Sequence, residues 1–218
     1  RWAQLQGLDK AGHGHAAGAK KIVDFLGWCS ELEIEHTTIY LLSTDNLVGR
    51  SNEELKDLIE IIVNLAEELV RLGRWKLKVV GDIAALPYEA AQRLSVVEEK
   101  TKNNPKPHVN LAIAYGGRKE ISDAMRSILK SHAAQGLSID ELSELLTPEL
   151  ITEHLYTTGQ PDPDLLIRTS GEQRLSGFLL WQSANSEFYV AEALWPDFRR
   201  VDFLRAIRDF ESRHRRFG

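Results

Sequence analysis

Two arginines and a serine follow an apolar run in the segment 164–181, DLLIRTSGEQRLSGFLLW. The run reads as a buried strand that ends at Arg168, and Arg174 and Ser176 lie in the loop after it. Open parallel sheets bind ligands at the carboxyl ends of their strands, and a planar guanidinium can hold a phosphate through two hydrogen bonds. The segment therefore indicates a phosphate site, although the same arginines could instead form surface ion pairs with a neighbouring carboxylate such as Glu172.

The composition is that of one ordinary globular domain. The chain has 218 residues, 43% hydrophobic and 27% charged, and no linker-like segment divides it, so we expect one domain over residues 1–218. No apolar run reaches the roughly 18 residues that span a bilayer, so we expect no stable membrane insertion. The net charge of -5 argues against nucleic-acid binding. The single cysteine, Cys29, excludes an intrachain disulfide and fits a reducing cytoplasm.

Predicted strands and helices alternate along the chain. Strand patterns occupy residues 36–43, 76–80, 108–114, 164–169 and 187–190. Helical patterns or helix starts occupy residues 17–32, 51–72 and 87–100, and begin again after 117, 138, 147 and 202. The alternation predicts an α/β fold: a single domain with a largely parallel six-stranded sheet, helices on both faces and Rossmann-like layering.

Several familiar motifs are absent or incomplete. The segment 14–21 lacks the Lys directly after the second Gly and the Ser or Thr of a P-loop, and no dinucleotide glycine fingerprint follows a strand. His13 and His15 are not accompanied by further residues at zinc-binding spacing, and the Gly-x-Ser-x-Gly motif of hydrolases is missing. A nucleotide-binding protein of the Rossmann type is thus supported by its layer order alone.

Five separated segments share one resemblance. They are 1–3 (RWA), 43–46 (STDN), 110–118 (NLAIAYGGR), 164–181 and 194–198 (LWPDF). Together and in this order they closely resemble the cis-prenyltransferases, which are the undecaprenyl diphosphate synthase family. Residues 41–47 and 159–163 look most like the actinobacterial short-chain branch that makes (2Z,6E)-farnesyl diphosphate.

The resemblance implies a role for each matching residue. Ser43 and Asn46 would lie at the reacting centre as catalytic residues, Glu187 would work with Mg²⁺, and Leu41 would limit product length. The implied substrate-binding residues are Arg1, Trp2, Lys10, His15, Arg50, Arg168, Arg174 and Ser176. Arg216 and Gly218 match a tail that contacts phosphate across a dimer.

The implied activity is condensation of isopentenyl diphosphate with a short allylic diphosphate, geranyl diphosphate, to give a Z-prenyl diphosphate with (2Z,6E)-farnesyl diphosphate as the expected product. The resemblance also implies a Mg²⁺ cofactor and a cytoplasmic homodimer, and it leaves peripheral membrane association open. A longer-chain synthase and a non-catalytic relative of the family are the alternatives. The joint presence of Arg168, Arg174, Ser176 and Glu187 argues against the non-catalytic relative.

The family's opening motif is Asp-Gly-Asn-(Gly/Arg)-Arg-Trp, and its Asp is the magnesium ligand. Arg1-Trp2 match the end of this motif, so we expect a segment ahead of Arg1 that carries the Asp. The chain departs from the family pattern at Leu47, where a Trp is common, and at Asn185, where a Tyr is frequent. These two positions leave the local shape of the pocket open.

Overall fold

Five parallel strands form two separate sheets in this computed structural model, which describes residues 2–7, 11–49, 51–104, 107–136 and 138–213. The first sheet contains β1 His36–Tyr40, β2 Lys76–Val80 and β3 His108–Ala112, in the order β1-β3-β2. The second sheet pairs β4 Leu165–Arg168 with β5 Glu187–Val190.

Ten α-helices accompany these strands in the described part of the chain. They are α1 Trp2–Leu5, α2 Ala11–Glu31, α3 Thr44–Gly49, α4 Asn52–Leu72, α5 Tyr88–Ser95, α6 Val97–Thr101, α7 Gly117–Ala133, α8 Ile139–Leu145, α9 Pro148–Glu153 and α10 Arg200–Ser212. Two 3-10 turns lie at Ile83–Ala85 and Trp195–Asp197. Among the described residues no helix is both long and apolar enough to cross a bilayer.

Local sequence signals account for most element boundaries. Ser51 caps α4 by accepting from the Glu54 backbone N–H, and Gly73 ends that helix in the left-handed conformation at φ 64°. Ser138 and Glu141 form the predicted capping box at the start of α8. These contacts lie within one helical turn, which is why they can be read from sequence.

The first sheet is covered on both faces. Apolar residues of α2 and α4, among them Leu26 and Ile62, pack against the face that carries Ile39 and Leu111. The other face is covered by turns of the chain: the cluster there consists of Val80, Ala112, Tyr115 and Leu179, with Tyr40, Tyr156 and Phe178 packed against it. Burial of each large apolar side chain contributes on the order of 1.5–3 kcal/mol.

The prediction of one six-stranded sheet is wrong in the described structure. β1 pairs only with β3, and β4 pairs only with β5. β1 and β4 belong to different sheets, and residues of both line one cavity. Alternation in sequence identifies a strand, but it does not determine whether β1 pairs with β4, because these strands lie more than 100 residues apart in the chain.

Smaller differences concern single elements. The helix predicted over 87–100 divides at Val96 into α5 and α6, and the helix predicted from residue 17 already begins at Ala11. The strand predicted over 108–114 ends at Ala112, because Ala114 has φ 51° and cannot continue a ladder.

Candidate active site

A cavity of about 1100 Å³ is lined by residues of both β1 and β4. Its apolar wall comes from α2 and α4 and includes Ile22, Phe25, Leu58, Ile62 and Leu65. All residues of β1 and β4 contribute to the lining, and Arg168 stands at the carboxyl end of β4. The cavity therefore has an apolar interior and a charged group, Arg168, at the carboxyl end of a strand, where parallel sheets bind ligands.

The two arginines predicted to bind phosphate converge on one carboxylate oxygen. Arg168 Nη2 lies 3.6 Å from Glu172 Oε2, and Arg174 Nη2 contacts the same oxygen. The surface ion pairs considered as an alternative are therefore present, and they bring both guanidinium groups to the same carboxylate. A diphosphate carries more negative charge than a carboxylate, so it would compete with Glu172 for the two arginines.

Arg168 still has a free donor. Its Nε is buried and has no hydrogen-bond partner within the described ranges. A buried N–H without a partner costs about 1–3 kcal/mol. Arg168 lines the cavity and its side chain as a whole is 28% exposed, so a ligand there can contact the guanidinium group.

Ser176 lies beside Arg168. Arg168 Nη2 is 3.5 Å from Ser176 Oγ, at the outer limit of a hydrogen bond. The Ser176 backbone has φ 50°, a left-handed conformation that a serine rarely adopts. Such strain is found where surrounding contacts hold a residue for binding or chemistry.

Ser43 and Asn46 form a second polar group at the end of β1. Asn46 Nδ2 donates to Ser43 Oγ over 2.5 Å, and the Asn46 backbone N–H reaches the same oxygen at 3.1 Å. Ser43 makes an isolated parallel bridge with Tyr115, which ties the start of α3 to the end of β3. The two predicted catalytic residues are thus in direct contact.

Tyr40 connects these two groups, and it was not among the residues predicted from the sequence. Its hydroxyl donates to the Tyr115 carbonyl at 3.2 Å and lies 3.4 Å from the Ser176 carbonyl. Burial raises the pKa of Tyr40, and a hydrogen bond from Ser43 and the charge of Arg168 oppose that rise. The sequence signal that could have identified Tyr40 is its position directly before Leu41, the predicted chain-length residue.

Three further predicted residues line the cavity: Trp2, His15 and Leu41. The indole Nε1 of Trp2 is buried and has no hydrogen-bond partner in the part of the chain that the structure describes. Leu41 packs against the core formed with α2 and α4, whereas its neighbour Leu42 is 1% exposed and does not line the cavity. Of these two leucines, only Leu41 therefore lies where it can contact a ligand in the cavity.

Glu187 and Arg168 lie at opposite ends of the ladder between β4 and β5. Glu187 pairs with Leu165 at the first position of the β4–β5 ladder, whereas Arg168 pairs with Val190 at the last. Three strand residues separate these positions by about 10 Å. The Glu187 carboxylate accepts a hydrogen bond from Arg213 Nη1 at 2.7 Å.

A magnesium site is not formed by the described residues. No group of three His, Cys, Asp or Glu side chains with the geometry for a metal occurs among them, and Glu187 is neutralised by Arg213. Mg²⁺ in proteins is commonly bound by one or two carboxylates together with substrate phosphates and water, so Glu187 would need such further ligands to hold the ion. Of the remaining predicted site residues, Arg1, Lys10, Arg50, Arg216 and Gly218 lie outside the described residues.

The family model of the undecaprenyl diphosphate synthases, a prenyltransferase family, matches residues 1–218. The chain belongs to this family. The match extends over the whole chain. It includes the cavity wall and the arginine loop, by which we mean the segment 168–176 with Arg168, Arg174 and Ser176.

Curated relatives of the undecaprenyl diphosphate synthase family cover the chain completely. A (2Z,6E)-farnesyl diphosphate synthase from Mycolicibacterium smegmatis is 54% identical over an alignment of 220 residues, gaps included, which covers 100% of this chain and 83% of that protein. A short-chain Z-isoprenyl diphosphate synthase from Mycobacterium bovis is 52% identical over 219 residues, with the same coverage of 100% and 83%.

A solved structure has the same fold. Lavandulyl diphosphate synthase from Lavandula x intermedia, crystallised in complex with dimethylallyl diphosphate, aligns with a TM-score of 0.91 and 34% identity. The alignment covers 100% of this chain and 92% of that one. The α/β single-domain fold predicted from the alternating pattern is thereby confirmed.

Proposed function

We propose that the protein condenses isopentenyl diphosphate with a short allylic diphosphate, geranyl diphosphate, and releases (2Z,6E)-farnesyl diphosphate. The observation that carries this proposal is the position of Arg168, with its unpartnered buried Nε, at the junction of a charged loop and an apolar cavity. Two relatives above 50% identity are named as synthases of short Z-prenyl diphosphates, which supports the same product class.

The chemistry requires two unlike environments side by side. Breaking an allylic carbon–oxygen bond leaves a delocalised cation and a free diphosphate, so charge must be stabilised on one side and water excluded on the other. Arg168, Arg174 and Ser176 are proposed to hold the diphosphate of isopentenyl diphosphate. The wall from α2 and α4 is proposed to enclose the hydrocarbon chains.

Bond formation then follows from the bound geometry. The double bond of isopentenyl diphosphate attacks the allylic cation, a carbon–carbon bond forms, and loss of one proton creates the new Z double bond. We propose that the proton leaves toward the diphosphate or toward Ser43 and Asn46, which lie in direct contact at the end of β1. The diphosphate released and the proton lost balance the carbon–carbon bond that is formed.

We also propose that the protein works as a cytoplasmic homodimer that uses Mg²⁺. The family resemblance supports both features, and Glu187 and the tail with Arg216 and Gly218 are the residues proposed for them. Light scattering at the concentration used for turnover tests the dimer: a fully active monomer would refute it.

Product analysis tests the proposed activity. The protein is incubated with radiolabelled isopentenyl diphosphate, Mg²⁺ and dimethylallyl, geranyl or farnesyl diphosphate, and the dephosphorylated products are separated by chromatography. We expect one C15 product with geranyl diphosphate as the best primer. Products of ten or more isoprene units would instead identify a long-chain synthase, and no incorporation with any primer would favour a non-catalytic relative.

A further inference from the structure

A buried carboxylate lies behind the loop that carries Ser176. Glu120, in the first turn of α7, is 1% exposed. Its carboxylate accepts hydrogen bonds from the Tyr115 hydroxyl, from the Tyr156 backbone N–H at 2.9 Å and from Gln182 Nε2 at 3.1 Å. All three donors are neutral, and such a set of hydrogen bonds compensates the desolvation of a buried carboxylate.

Tyr115 links this carboxylate to the turn 176–179. Tyr115 is completely buried, its hydroxyl donates to Glu120, and its ring packs edge-on against Phe178 and shares a buried cluster with Leu179. Burial, followed by the charge of Glu120, raises the pKa of Tyr115, so the hydroxyl keeps the proton that it donates. Glu120 is therefore connected to the turn through one side chain.

The turn needs such support because its backbone is strained. Ser176, Gly177 and Leu179 have φ values of 50°, 77° and 45°, and the left-handed conformation is sterically unfavourable at the two non-glycine residues. The Gly177 carbonyl accepts from the Gly117 N–H at 2.8 Å, where α7 begins. A Cβ atom at Gly117 would come within 2.7 Å of that carbonyl, so the two segments are in close contact.

We propose that Tyr115 and Glu120 are positioning residues for the isopentenyl diphosphate site: they hold the turn 176–179 in its strained conformation, and thereby place Ser176 beside Arg168. The inference rests on the proposed function, and neither residue is required to touch the substrate. If Tyr115 no longer holds the turn, the turn relaxes toward ordinary backbone conformations. Ser176 Oγ then moves away from the diphosphate. Binding of isopentenyl diphosphate is weakened, whereas the allylic substrate is affected little.

Tyr115→Phe tests this directly, because it removes the hydroxyl and keeps the ring that packs edge-on against Tyr40 and Phe178. We expect the KM for isopentenyl diphosphate to rise about tenfold, with the KM for the allylic diphosphate changed by less than about twofold. Tenfold corresponds to one hydrogen bond of about 1.4 kcal/mol. Glu120→Gln keeps the shape of the side chain but not its capacity to accept from all three donors, so it should raise the same KM at least as much.

Tyr156→Phe is the matched control. It also removes a tyrosine hydroxyl that donates to a carboxylate of α7, in this case Asp123, which pairs with Lys119 and Arg126, whereas Glu120 bonds to Gln182 just beyond the turn. We expect it to leave both KM values unchanged, while thermal unfolding shows comparable losses of stability for the two tyrosine variants. A purely structural role for Tyr115 would instead change both KM values, or the active fraction, in parallel with the melting temperature.

Direct binding separates failure of the inference from failure of the proposed function. Titration calorimetry with inorganic diphosphate should show a Kd about tenfold higher for Tyr115→Phe than for Tyr156→Phe or the parent protein. If the parent protein makes no prenyl product but this difference in Kd persists, the proposed function fails and the positioning role stands. Equal Kd values, or an unchanged KM for isopentenyl diphosphate, would overturn the positioning role.

Discussion

The ring of Phe178 stacks on the ring of Tyr40, with their centroids 4.7 Å apart and their planes 16° apart. Tyr40 lies at the end of β1 and Phe178 in the turn after Ser176, so the stack joins the first sheet to the segment between β4 and β5, and both rings line the cavity. The hydroxyl beyond the ring reaches the Tyr115 carbonyl. Tyr40 therefore contributes both a packing contact and a polar contact.

Tyr40→Phe separates these two contributions. We expect the stack to be preserved and the melting temperature to fall by only about 2–4 °C, while kcat/KM for isopentenyl diphosphate falls about fivefold, because one neutral hydrogen bond contributes about 1 kcal/mol. Steady-state kinetics with both substrates measures the effect. Tyr88→Phe, at a tyrosine that is 77% exposed, is the control and should behave as the parent protein. A Tyr40→Phe variant with unaltered kinetics would show that the hydroxyl is dispensable.

Arg168→Ala removes the guanidinium at the cavity. At an effective dielectric constant near 20, a cation about 4 Å from a phosphate oxygen contributes about 4 kcal/mol, so kcat/KM should fall by about two to three orders of magnitude. Arg168→Lys should recover little of this loss, because an ammonium lacks the planar fork of donors. Initial rates at varied isopentenyl diphosphate give the comparison.

Arg126→Ala is the matched control for Arg168, since Arg126 is a 58% exposed arginine that pairs with Asp123 on α7. It removes the same charge at a surface position, where an ion pair contributes at most about 1 kcal/mol. We expect wild-type kinetics. Equal losses in the two variants would mean that net charge, rather than a bound diphosphate, explains the effect.

Leu41→Ala should lengthen the product. Leu41 lines the cavity, and truncating it opens space in the path of the hydrocarbon chain, so C20 or longer prenyl diphosphates are expected beside C15. Chromatography of dephosphorylated products measures the distribution. A product that stays at C15 would remove Leu41 as the chain-length residue.

Leu42→Ala supplies the control for that experiment. Leu42 is buried in the core and does not line the cavity, so its truncation should lower the free energy of unfolding by about 2–5 kcal/mol without changing product length. Denaturant unfolding and the same chromatography separate the two outcomes.

The Cys29 thiol should be almost unreactive in the folded protein. Burial raises its pKa from the ordinary 9.0 to about 12, with a hydrogen bond from Thr37 opposing the rise. At pH 8 the thiolate fraction is then about a thousandfold lower than in the unfolded chain, and only the thiolate reacts. Stoichiometric labelling with a chromogenic disulfide reagent, before and after denaturation, measures the ratio, and Cys29→Ser reports any background.

The same shift has a defined effect on stability. The folded-state pKa lies above the unfolded value, so the folded state retains its thiol proton at a pH where the unfolded chain has lost it. This contribution to stability is fully present below about pH 9 and is lost as pH rises toward 12. Between these limits the parent protein should lose stability more steeply with pH than Cys29→Ser, and parallel curves in denaturant titrations would contradict the assignment.

Local contacts explain what could be read from the sequence alone. The cap of α4 by Ser51, the capping box of Ser138 and Glu141 and the bounds of β2 all depend on neighbours within a few residues, so residue type and spacing determine them. The arginine loop was also evident, because Arg168, Arg174 and Ser176 lie close together in the chain and follow a strand.

Only the tertiary structure decided how these pieces combine. The structure shows that β1 does not pair with β4 and that Glu187 lies at the opposite end of its ladder from Arg168. Both facts depend on which distant backbone groups hydrogen-bond to each other, and hydrophobic periodicity does not predict that. The hydrogen bond between Glu120 and Gln182 spans 62 residues, and neither side chain belongs to a recognisable motif. Hydrogen bonding and hydrophobic contact act over a few ångströms in space, so distances along the chain predict them only where the chain itself stays local.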